Sequence, residues 1–343
     1  MRAFFTAPVA RAAIISMALG APAAAQSNAY SVTHTYSLGG AGGWDYVVPD
    51  ASNHRLYIGR SDRVMVVDSR DGKLVGEVNG IHGAHGTAIV AAAHLGFATS
   101  GNDSSVVAFD LTTFKPVAKI HAAEDADAII YDAASNRVFT FNGDAHSSTV
   151  IDPSTVKLIA NIDLGGKPEY GLSAGDGKVY ANLTDKAEVV EIDAKTLKVT
   201  RRWSTASCKN PVAMAIDVSH QRLFSGCRSG VMAVSDYRAG KVVATVPIGQ
   251  GVDGAGYDSQ SSDAFASAAD GSLTVIHQDG PDKYHVVQTL TTMTGSRNLG
   301  LDPGSHTLFL PGAKFEPPPT GARAGQRAKM LDGSFVLLAV ERK

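Results

Sequence analysis

One plan recurs along this chain with a period near 42 residues, and few folds tolerate that. An aspartate five positions after a unit's first residue and an aromatic twelve after it mark the frame. Asp45 leads to Asp50 and Tyr57, Asp127 to Asp132 and Phe139, Asp253 to Asp258 and Phe265, and Arg297 to Asp302 and Phe309. Val212 leads to Asp217 and Phe224, His85 to Phe97 without the aspartate, and Glu169 to Tyr180 with one residue deleted. Seven units result. A second marker agrees: an apolar residue followed by aspartate closes the third strand at Val67-Asp68, Phe109-Asp110, Ile151-Asp152 and Ile192-Asp193, spaced 42, 42 and 41 residues.

Each unit reads as short apolar runs separated by polar turns such as Asp71-Gly72, Asp176-Gly177 and Asp270-Gly271, the pattern of antiparallel hairpins. Four strands per unit at this period predict an all-β chain, a seven-bladed β-propeller. Only 7% of residues are aromatic and 35 are glycine, which suits many short strands joined by tight turns. The last unit has strands near 298–301, 307–310 and 334–340 but no fourth, and residues 29–38 alternate like a strand ahead of the first unit. The N-terminal strand is therefore expected to complete the last blade and remove the open edge.

Residues 1–25 have the form of a secretory leader. Arg2 and Arg11 accompany a short apolar stretch, AAIISMALGA, before Pro22 and Ala23–Ala25. The apolar stretch is short of the roughly 20 residues that a bilayer span needs, so cleavage near Ala25 is expected rather than a retained anchor. Residues 26–343 would then form one propeller domain, periplasmic or secreted, with no membrane span after cleavage. Cys208 and Cys227, the only cysteines, lie before the first strand and at the end of the second strand of unit five. The hairpin brings both to one rim, and an oxidising compartment predicts a disulfide between them. With 31 Lys and Arg against 33 Asp and Glu there is no basic stripe, so nucleic acid is not an expected partner.

The segments LYIGRSDRVMVVDSRDGKLVGEV (56–78) and VYANLTDKAEVVEIDAKTLKV (179–199) resemble the YVTN/YncE-type β-propeller repeat. That pattern has a YVTN-like second strand, a valine-isoleucine-aspartate third strand and a T-x-K-V fourth. The resemblance covers essentially the whole chain after the leader. Unit two departs from it in lacking the turn aspartate, and unit four in reading Asn182-Leu183-Thr184-Asp185. It implies the fold and a surface or periplasmic setting. Related seven-bladed propellers include lactonases and a streptogramin lyase, and no motif here selects either.

First strands of a propeller line the central channel, so the seven starting residues Asp45, His85, Asp127, Glu169, Val212, Asp253 and Arg297 should face one another. Four carboxylates converging there repel and call for a cation or shared protons. A divalent metal ion is one answer, with His82, His85, Asp127, Glu169 and Asp253 as candidate ligands. Oxygen-rich surroundings suit Ca²⁺ or Mg²⁺, and His85 favours Zn²⁺. A small anionic molecule is another, held by Arg297, Lys167, Lys209, Glu169 and Asp253, with Trp44, Arg60 and Asn142 in the wall. A third is metal-assisted, lactonase-like hydrolysis with His85, Asp45 and Asp127 as the catalytic set. No serine is read as a nucleophile. A solvated channel that binds nothing and a rim that binds another protein complete the alternatives. The Pro- and Gly-rich segment 314–333, in the last unit, is expected to overhang the channel mouth.

Overall fold

The computed structural model describes residues 1–4, 29–317 and 329–343. The proposed leader and the middle of the 314–333 segment lie largely outside these residues. What is described is seven four-stranded antiparallel sheets set in a ring, a seven-bladed β-propeller. Blade one runs through Val47–Asp50, Arg55–Arg60, Arg63–Asp68 and Leu74–Asn79. Blades two to six repeat that order from first strands Ala84–Val90, Ala126–Asp132, Pro168–Ser173, Pro211–Asp217 and Val252–Asp258. Blade seven contributes Gly300–Asp302, Thr307–Gly312 and Val336–Arg342, and its outer strand is Tyr30–Ser37 from the N-terminal end.

The repeated residues explain themselves once the blades are built. The aromatics Tyr57, Phe97, Phe139, Tyr180, Phe224, Phe265 and Phe309 all sit mid-blade on second strands and are buried, filling the space between neighbouring sheets. The aspartates close turns. Asp50, Asp132, Asp217, Asp258 and Asp302 accept backbone N–H bonds from Asn53, Ser135, Ser219, Gln260 and Gly304 after the first strands. Asp68, Asp110, Asp152 and Asp193 do the same after the third strands. Such side-chain acceptors satisfy turn donors that no sheet partner reaches.

In four blades the residue two places after the aromatic meets the next blade. Thr99 donates to the Asp127 carbonyl at 2.6 Å, Asn182 to the Ala213 carbonyl at 2.9 Å, and Ser267 to the Arg297 carbonyl at 2.5 Å. In blade one that position is Gly59, where a Cβ would overlap the His85 carbonyl oxygen. Absence of a side chain lets the two backbones touch. Cys208 and Cys227 form a buried disulfide beside this framework in blade five, with Cα atoms 5.4 Å apart.

Candidate functional site

Ring residues are aimed inward by the backbone. In blades two to six the pairing of first and second strands slips at the ring position itself, between Ala84 and Thr87, Ala126 and Ile129, Pro168 and Gly171, Pro211 and Ala213, and Val252 and Gly254. Such an irregularity turns one side chain out of the alternation of its strand. His85, Asp127, Glu169 and Asp253 thereby meet Asp45 and Arg297 around one cavity of about 360 Å³, together with Trp44, Tyr46 and Arg228. Val212 occupies the ring position of blade five as a buried apolar residue. The charge in that sector comes instead from Arg228, just after the second strand of the same blade and next to the disulfide.

Contacts pass from blade to blade. Asn298 donates to Asp45 at 3.2 Å, His85 Nδ1 lies 2.6 Å from Asp45 and 3.3 Å from Asp127, and donor atoms of Asp45, His85 and Asp127 all fall within 4.8 Å of one another. On the other side Arg228 reaches Glu169 at 3.5 Å and Asp253 at 3.2 Å, and Arg297 Nε donates to Asp253 at 2.6 Å. Between these two arcs Asp127 and Glu169 sit on adjacent blades, the first beside His85 and the second beside Arg228. Asp127 Oδ1 is buried without a hydrogen-bond donor, as is Asn298 Oδ1. Buried acceptors of this kind normally have a partner.

The electrostatics follow from this crowding. Burial opposes charge on His85, but the hydrogen bond that its Nδ1–H donates to Asp45 and the charges of Asp127 and Asp45 outweigh it and push the imidazole up to about 9. Burial and Asp45 lift Asp127 well above the carboxylate range, with His85 opposing. Burial and Asp253 raise Glu169 to about 7, against the pull of Arg228. Tyr46 and Tyr170, from blades one and four, pack with centroids 5.3 Å apart. Those blades are not neighbours in the ring, so this contact is made across the channel and narrows it.

Several expected wall residues lie elsewhere. Arg60 is buried and gives its guanidinium N–H groups to the carbonyls of Gly39, Ala41, Gly42 and Gly43 while stacking 3.7 Å from the Phe335 ring, so it is a brace for the entry loop and not a ligand contact. Asn142 is enclosed by Thr140, Ser147 and Thr149 inside blade three. His82 is exposed and faces Asp103 at 3.2 Å, away from the cluster that holds His85, so the H-x-x-H spacing does not form one site. Lys167 is paired with Asp144 at 2.7 Å and Asp125 at 3.6 Å, and neither it nor the exposed Lys209 lines the cavity. The residues flanking the 318–328 segment do reach the mouth: Phe315 bridges Met330 and packs 5.9 Å from Trp44.

One pattern passed over in the sequence is GLSAG at 171–175, which matches G-x-S-x-G. It ends a first strand and turns into the next strand, Lys178–Leu183, where a nucleophile elbow requires a helix. Ser173 donates to Asp132 at the far end of the strand from the ring, so the match carries no nucleophile.

Among solved structures, a chain described as Kuenenia stuttgartiensis hydrazine synthase superposes with a TM-score of 0.70 at 14% identity, over 78% of this chain and 92% of that one. At that identity the likeness shows the shared propeller fold alone. No family model matches the chain, and no curated protein matches it.

Proposed function

We propose that the channel mouth binds a divalent transition-metal ion through Asp45, His85 and Asp127. The observation that carries this is the three-residue cluster with donor atoms within 4.8 Å, in which the buried Asp127 Oδ1 makes no hydrogen bond and has only the His85 imidazole beside it, at 3.3 Å. One imidazole nitrogen and carboxylate oxygens suit Zn²⁺ or a similar ion with positions left open. Ca²⁺ prefers roughly six to eight oxygens, more than the cluster offers. The leader-like sequence of residues 1–25, the disulfide and the resemblance to YVTN/YncE-type repeats support an exported protein. Binding requires neutral imidazole, so the ion displaces the proton that Asp45 and Asp127 hold on His85.

Elemental analysis and Zn²⁺ titration calorimetry of chelator-free protein test the reading. One ion per chain and a rise in melting temperature are expected, both lost in Asp127→Asn. An unchanged affinity in that variant would remove the cluster from the argument.

A further inference from the structure

The opposite arc of the same cavity is built differently, and resting on the metal reading above it identifies what else the site takes. Arg228 contacts its two carboxylates through Nη2 alone, and Arg297 is held through Nε alone. Among the described residues, Nε and Nη1 of Arg228 and both terminal nitrogens of Arg297 have no hydrogen-bond acceptor, yet both side chains line the cavity. Guanidinium groups left with donors at the wall of a cavity are suited to a carboxylate, which accepts two parallel N–H bonds. The half-exposed Arg228 is also the residue most able to swing, since its contacts to Glu169 and Asp253 are the longer ones, while Cys227 beside it is fixed by the disulfide.

Charge decides when such an anion can enter. Asp45, Asp127, Glu169 and Asp253 face His85, Arg228 and Arg297 around the cavity, four acidic groups against three basic ones. An anion is repelled from that ring until a divalent cation cancels the excess. The cation would also give the anion a second anchor, because the cluster leaves coordination positions open. The cavity volume of about 360 Å³ is near the small end for organic ligand sites.

We infer that the site captures a small carboxylic acid bearing a second oxygen donor, such as a 2-hydroxy acid or a short dicarboxylate, in a complex with the metal ion. One carboxylate pairs with Arg228 and Arg297, and the second donor completes the coordination of the ion. The two ligands are thermodynamically coupled: the ion tightens carboxylate binding, and the carboxylate tightens ion binding by the same factor.

Calorimetric titration of acetate, lactate and malonate into apo and Zn²⁺-loaded full-length protein reads this directly. Lactate and malonate should bind the loaded protein about tenfold or more tightly than the apo protein, a coupling of ordinary size, and more tightly than acetate. Arg228→Gln, at a half-exposed position, should lose that binding while its Zn²⁺ affinity in the absence of carboxylate is kept or improved. Equal carboxylate binding with and without Zn²⁺, or unaltered binding in Arg228→Gln, overturns the inference and leaves the metal reading intact. Zn²⁺ titration alone is read first, so a failure of the metal site is seen separately; it overturns both.

Discussion

His85 is the residue on which the chemistry turns, and its surroundings make its proton easy to test. Its folded-state value of about 9 stands above its ordinary 6.5, so its protonation stabilises the fold fully below about 6.5 and that contribution is lost as pH rises through 9. Glu169, raised from 4.5 to about 7, has the same sign: its contribution is lost between those values as the carboxyl is forced to ionise beside Asp253. The metal-free protein should therefore melt at progressively lower temperature from pH 4.5 to 9. Asp45→Asn should flatten the upper limb, and Zn²⁺ loading should reverse it, since the ion takes over from the proton. A melting temperature that climbs across this range in the metal-free protein would contradict the geometry. All seven ring positions, six of them ionisable, could be found from the repeat frame because each is the same step of its unit. Arg228 could not, since it lies outside that frame, although the apolar Val212 left a vacancy that pointed to blade five. Arg60 and Asn142 misled for a related reason. They follow the blade-joining position by one residue, and strand alternation turns them away from the channel.

Strands and their turns show why the blades were easy to recognise and the site was not. The markers that repeat, buried aromatics and turn-closing aspartates, are those that packing and backbone donors demand in every blade. Irregular pairing at the ring positions leaves no comparable signature, because the slip is a property of two strands together. The disulfide is an element-level feature of both kinds: its cysteines were legible, its role beside Arg228 was not. Closing a loop across a sequence separation of 19 contributes about 3 kcal/mol on the chain-entropy model. Replacing both cysteines by serine should lower the unfolding free energy by about that amount in urea titration. Zn²⁺ affinity should be kept, because neither sulfur contacts the cavity, and the slope of the transition should rise, because the unfolded chain without the cross-link exposes more surface. Reductant added to the folded wild-type protein should act slowly, since both sulfurs are buried.

At the scale of the whole molecule, the ring is closed by a strand from the far end of the chain. Tyr30–Ser37 pairs with Val336–Arg342, and so the last blade exists only when both ends of the polypeptide are in place. Tyr30 fixes the junction to blade six as well: its ring packs edge-on to Phe265 at 5.1 Å, its hydroxyl donates to Asp263 at 2.8 Å, and Gln288 brackets its backbone N–H and carbonyl. Burial drives the Tyr30 hydroxyl well above its ordinary range, which keeps it a donor. Tyr30→Phe should cost about 1–3 kcal/mol, because the buried Asp263 loses one of its hydrogen bonds while the packing is retained. Removing residues 29–37 altogether should do something different in kind. It strips the partner from Val336–Arg342 and leaves an unpaired strand edge carrying Leu337, Leu338 and Val340, a template for pairing with a second chain. Size-exclusion chromatography should show self-association of the truncated protein at concentrations where the full chain and Tyr30→Phe run as one species. A truncated protein that stays unassociated and melts like the parent would mean that the other six blades hold the ring without that closure. The carboxylate ring would then owe its geometry to the blade-to-blade contacts of Gly59, Thr99, Asn182 and Ser267 alone.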